Sequence, residues 1–175
     1  MPIAEFDVHA MYAAMDAQRA VLGLSWPNVA RALWNQSAVL NERRGDHPIS
    51  PATLTGIAKR GDCTCQHALF ILRWLGRAPE EFLSSPPADS SRFALPPAAE
   101  DRRLRWDLAA VYTALDERRR ERTVTWREAA KAIRCTEHQL TGLRTARYAI
   151  GMKLMMRIVQ WLGQPAATFI YPAEW

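Results

Sequence analysis

Apolar residues recur along this chain at helical spacing, and the pattern comes twice. Leu108, Val111, Tyr112 and Leu115 share one helix face, with Asp116, Glu117, Arg118, Arg120 and Glu121 on the other. Asp107 stands ahead of them as an N-cap. Thr125-x-x-Glu128 is a capping box that opens a second helix, with Trp126, Ala129, Ala130 and Ile133 inside. After a short turn at Arg134-Cys135, Thr136 caps a third helix carrying Leu140 and Leu143. A last apolar helix is expected from Leu154 to Leu162, ending at Gly163 as its C-cap. No segment sustains a period of two, so no sheet is expected.

The first half repeats this text. Phe6 to Leu33 and Trp106 to Ile133 share nine identities over 28 positions, among them Asp7/Asp107, Tyr12/Tyr112, Asp16/Asp116, Arg19/Arg119 and Trp26/Trp126. Both copies run on to Trp-Leu-Gly, at residues 74–76 and 161–163. Ser25, Ser50 and Thr64 read as N-caps of the first copy, and Pro27 sits in a first turn, where proline is tolerated. The duplication divides the chain into residues 1–85, a Pro/Ser-rich linker over 86–105 made semi-extended by its prolines, and residues 106–175. The tryptophans at matching places, Trp26/Trp126 and Trp74/Trp161, read as core anchors.

Composition narrows the class. A 49% hydrophobic and 23% charged chain is globular and soluble. No stretch approaches the ~18 apolar residues of a membrane span, and Met1 to Asp7 lacks the basic and apolar regions of a secretory signal. The expectation is a cytoplasmic protein with no membrane partner, whose three cysteines stay reduced. The net charge of +5 is uneven: residues 1–85 are neutral, the linker carries +1 and residues 106–175 carry +4. A polyanionic partner is therefore invited mainly by the second copy.

Trp126 to Thr145 resembles the helix-turn-helix of the phage-repressor and Cro (XRE-type) DNA-binding family. Ala130 supplies the small residue where the two helices cross, and Leu140 and Leu143 the two apolar residues that pack back. The ending W-L-G-x-P-x-x-x-F is also similar to that family. The resemblance implies an all-α fold of two tandem five-helix lambda-repressor-like domains, and the reading of double-stranded DNA by a transcriptional regulator. The second helix of each pair would lie in the major groove. It would present Thr136, Glu137, His138, Thr141 and Thr145 to base edges, with Gln139 and Arg144 nearby. In the first copy the recognition helix would be Pro51 to Lys59, presenting Ala52, Thr53, Thr55, Lys59 and Arg60. Phosphate contacts would come from Arg127, Lys131, Arg144, Arg147, Lys153, Lys59, Arg60, Arg43 and Arg44.

The chain departs from the family pattern in two places. Arg134 stands where the turn usually has glycine. The first copy also carries 14 extra residues between Leu33 and Leu54, and apolar spacing through Trp34, Ala38 and Leu40 suggests a lengthened helix before a loop. Gly56 and Gly142, both inside Leu-Thr-Gly, imply a close approach to the helix backbone, by a DNA strand or by the helix's own core. Cys63-Thr-Cys65-Gln-His67 lacks the second pair a zinc site needs. No nucleophile elbow, P-loop or dinucleotide fingerprint appears, so neither catalysis nor a cofactor is expected. The competing reading is a protein-interaction module, an adaptor or an antitoxin-like protein, with a protein partner or self-association in place of DNA at one or both copies.

Overall fold

In the computed structural model, which describes residues 2–89, 91–145 and 149–175 and Ser91 by its backbone alone, the chain is mostly helical. The opening helices of the two copies, α1 (Val8–Val21) and α6 (Leu108–Glu121), start alike. Asp7 and Asp107 each accept a hydrogen bond from the N–H three residues on, at 2.8 Å. This satisfies one of the amides a helix leaves unpaired at its start. Helices α2 (Trp26–Asn35) and α7 (Trp126–Ile133) follow, capped by Ser25 and by the Thr125/Glu128 box.

The residues identical in both copies lie at the junction of these helices. Tyr12 stacks on Trp26 at 5.6 Å and 20°, and Tyr112 on Trp126 at 5.5 Å and 19°. Arg19 and Arg119 each lie over the tryptophan of their own copy, with Cζ 5.0 Å from the ring. Each arginine is fixed by the aspartate three residues before it and by the Leu24 or Val124 carbonyl. Stacking and cation–π contact each contribute on the order of 1 kcal/mol. The sequence identity is thus a packing identity that sets the angle between the two helices.

Two expectations require correction. The first-copy insert does not lengthen α2. That helix ends at Asn35, the chain turns at the fully buried Ser37, and a separate short helix, α3 (Ala38–Asn41), follows. Side chains complete the break, because Asn41 Nδ2 donates to the Trp34 carbonyl and Gln36 Nε2 to Leu33 and Phe70. The second correction concerns sheet structure. Strand β1 (Arg103–Trp106) pairs antiparallel with β2 (Ile170–Ala173), in the register Arg103 to Ala173 and Trp106 to Ile170. Four residues are too few to show a period of two, and Pro172 interrupts the second strand. The segment expected as linker therefore ends at a strand, after a 3-10 turn at Ser91–Phe93.

The remaining helices are α4 (Pro51–Arg60), α5 (Cys65–Leu75), α8 (Glu137–Thr141) and α9 (Met152–Leu162). Each copy closes on itself in the same way. Phe6 bridges Leu83 as Trp106 bridges Ile170, and Asp7 N–H donates to Phe82 as Asp107 N–H does to Phe169.

The two copies then pack against each other about a local twofold. Thr64 and Gly151, which occupy the same place ahead of α5 and α9, form an antiparallel bridge. Its bonds run from Cys65 N–H to the Ile150 carbonyl (2.7 Å) and from Met152 N–H to Cys63 (2.8 Å). The flanks exchange as well. Gln160 on α9 makes two bonds of 2.9 Å with the backbone of Ala4. From the other copy, and through different repeat positions, the Trp106 indole N–H donates to the Cys65 carbonyl and Gln66 Nε2 to Leu104. At the bridge, equivalent residues meet in opposite directions, the mark of a self-complementary twofold interface, here within one chain. A single core runs across it, from Met11, Leu33 and Ile71 to Leu115, Ile133 and Ile158.

One detail breaks the symmetry. Thr64 caps α5 with its own side chain, whereas Gly151 has none to offer α9. Asp62, from the other copy, fills the space a Cβ on Gly151 would occupy. Its Oδ1 accepts from Cys63 N–H (2.8 Å) and faces Lys153 N–H (3.4 Å). Gly151→Ala is expected to lower stability in urea unfolding by about 1–3 kcal/mol, the usual range for overpacking. Combining it with Asp62→Ala should cost less than the sum of the two single changes, because the second removes the clash.

Candidate nucleic-acid interface

The α7–turn–α8 unit supplies the exposed polar surface of the second copy. Arg134 ends α7 in the left-handed region (φ 61°, ψ 53°), a conformation that costs a non-glycine residue roughly 1–2 kcal/mol. Its guanidinium is held across the seam by Glu5 at 2.7 Å and by the Ile3 carbonyl at 3.2 Å. Thr136 caps α8, a single short turn that tightens into a 3-10 turn over Gly142–Thr145. Leu140 and Leu143 are buried beneath it, and Ala130 is buried where α7 and α8 pack together.

The outward side chains divide into two groups. Thr136, Glu137, His138, Arg144 and Thr145 are exposed, while Gln139 and Thr141 are half-buried. Gln139 Oε1 accepts the Thr136 N–H at 2.9 Å, so this amide works as part of the cap. The Thr141 and Thr145 hydroxyls donate back to the Glu137 and Gly142 carbonyls. Around the helix, Arg127, Lys131 and Arg144 are exposed and enter no ion pair among the described residues. Lys153 is half-buried at the start of α9. Arg147 lies outside the described residues.

The first copy presents a blander surface. Ser50 caps α4, and its hydroxyl lies 2.9 Å from that of Thr53. Ala52, Thr55, Lys59 and Arg60 are exposed, and the Thr55 hydroxyl donates to Pro51. Arg60 does not extend outward. It folds over Gly56 and donates to the Thr53 carbonyl at 3.0 Å. The space above Gly56 is thus filled by the helix's own arginine. Arg43 is exposed and free of ion pairs among the described residues, but Arg44 is held by Asp46 at 2.6 Å. Arg103 donates to the same carboxylate at 3.0 Å and to Asn41 at 2.8 Å, and lies over Trp34. Arg44 therefore belongs to the cluster that joins the insert to β1. Arg31, at the repeat position of Lys131, is also exposed. It is absent from the expected phosphate contacts, and the signal that finds it is the alignment of the two copies.

In all three cysteines burial favours the thiol over the thiolate. Burial pushes Cys63 and Cys65 up to about 12 and Cys135 up to about 11. Among the described residues no group of three or more Cys, His, Asp or Glu could hold a metal ion. No helix among them is long and apolar enough to cross a membrane.

The Arg44–Asp46–Arg103 cluster makes a pH prediction. Hydrogen bonding to Arg44 holds the Asp46 carboxyl down to about 2, from an ordinary 3.8. A depressed acid stabilises the fold above its unfolded value, and that stability is lost as pH falls through the folded one. Asp46→Asn should therefore lower the Tm at pH 7, with the difference closing between about pH 4 and pH 2 in a thermal unfolding series. No family model, no curated protein and no solved structure matches this chain.

Proposed function

We propose that this chain is a sequence-specific double-stranded DNA-binding protein, a transcriptional regulator with two lambda-repressor-like helix-turn-helix units in tandem. The observation that carries the reading is the start of α8. There Thr136, Glu137 and His138 stand exposed, with Arg127, Lys131 and Arg144 exposed and unpaired by any described acid. A short polar helix start offers groups that can pair with base edges, and the surrounding cations suit phosphates. The cap of this helix is completed by Gln139, which accepts the Thr136 N–H.

The local twofold supports the same reading. DNA sites of this family are pseudo-palindromes read by two units related by a twofold. Here the second unit is supplied in cis. The half-sites differ, because α4 offers Ala52 and Lys59 where α8 offers His138 and Thr145. In this reading the second copy discriminates sequence and the first adds phosphate contacts through Lys59 and Arg43.

A protein-binding role for the first copy is favoured by one observation. Val21 and Leu22, at the tip between α1 and α2, are 86% and 55% exposed, where the second copy has Glu121 and Arg122. That apolar tip suits a protein surface better than a phosphate backbone.

The test is recovery of bound fragments from sheared genomic DNA at two salt concentrations, followed by sequencing. An enriched motif with two unlike half-sites is expected. Replacing Arg127, Lys131 and Arg144 together by Ala should weaken binding to that motif. It should also flatten the slope of log K against log salt by up to roughly 2.7, about 0.9 for each phosphate that the three cations neutralise. Absence of any enrichment at low salt overturns the DNA reading and leaves the protein-partner one.

A further inference from the structure

A groove of about 530 Å³ runs along the seam between the copies, roofed by the linker. Met156 and Val159 of α9 form one wall, with Leu83, Pro86 and Phe93 opposite. Glu80 contributes to its floor. This glutamate is 5% exposed. Its Oε1 accepts the Ala166 N–H at 2.6 Å, a bond between the copies, while among the described residues Oε2 has no hydrogen-bond partner. No described cation pairs with it. Arg92, at the groove's edge, is exposed and lies on the Phe93 ring, with Cζ 4.9 Å away. Burial raises the Glu80 carboxyl above the usual range, as expected of a carboxylate without a counter-charge.

The second copy has no such acid. The repeat places Ala167 where the first copy has Glu80, since Phe82 and Phe169 correspond. A second groove, beside Arg73, Leu95 and Pro96, is of similar size at about 500 Å³. There the polar group on the helix wall, the Arg73 guanidinium, is engaged by the Gln36, Ala98 and Arg102 carbonyls. Of the two grooves, the one above Glu80 keeps its buried charged group incompletely partnered. Apolar walls, a few polar groups and a volume within roughly 300–1,000 Å³ are the features of a small-molecule site.

We propose that this groove binds a small apolar amine, its hydrocarbon against Met156, Val159 and Leu83 and its ammonium paired with Glu80. The ammonium supplies the charge partner that the chain withholds, and the hydrocarbon removes apolar surface from water. Because both copies line the groove, the bound molecule also stabilises their seam. The amine site stands apart from DNA binding and uses none of its residues.

Calorimetry on the full chain with naphthylmethylamine, and with its neutral counterpart naphthylmethanol, tests it. The amine should bind roughly tenfold more tightly than the alcohol and raise the Tm. Glu80→Gln should weaken the amine at least about tenfold while leaving the alcohol unchanged. Ser85→Trp, at an exposed lining position, should abolish both while the unliganded protein melts as before. Amine and alcohol binding alike, no binding to the wild type, or amine binding that survives Ser85→Trp would each overturn the proposal. The amine–alcohol comparison and Ser85→Trp decide the matter even if Glu80→Gln does not fold.

Discussion

Where the chain enters α5 it meets, running the other way, the chain entering α9. The two backbone bonds around Thr64 and Gly151 fix the halves at the point where each begins the last helix of its unit. Burial then accumulates on both sides. The segment before α1 lies on α9 through Gln160 and Ala4, and β1 lies on α5 through Trp106 and Gln66. Each copy thus lends its opening strand to its neighbour's final helix. The two halves share one continuous core.

The same seam explains why the chain is asymmetric where it is. A twofold interface forces equivalent residues into one another's company, and two identical side chains at the axis compete for the same space. Thr64 caps its own helix, Gly151 gives up its side chain, and Asp62 occupies the vacated room. The insert of the first copy belongs to this asymmetry too. Its Ser37, Asn41 and Asp46 receive Arg73 and Arg103, so that linker and β1 are anchored to the first copy. Around α8, Arg127, Lys131 and Arg144 stay free of described acids, and the two outward surfaces differ in sequence.

The helical units were legible because local signals agree with one another. Asp107, Ser25, Ser50, Thr64, Thr125 and Thr136 all cap the helices that the sequence assigns to them, Asp7 caps α1 as Asp107 caps α6, and Gly76 and Gly163 end theirs left-handed. Arg134 adopts the left-handed turn despite its side chain, and its guanidinium reaches a partner far away in the chain, Glu5. The candidate surface on α8 was legible through the same caps. The folded-back Arg60, the tied Arg44 and the capping role of Gln139 were not, since each depends on where a long side chain finds a partner.

The sequence by itself determined the repeat, the helix starts and stops, and the recurring Tyr–Trp–Arg–Asp group, because these are set by neighbours a few residues apart. Tertiary structure alone decided the local twofold, the two-stranded sheet, the break after Asn35 and the buried Glu80 beneath its groove. All four arise from pairings between the copies or with the linker. Such long-range pairings depend on backbone bonds and shape, which leave no periodic trace in the order of the residues.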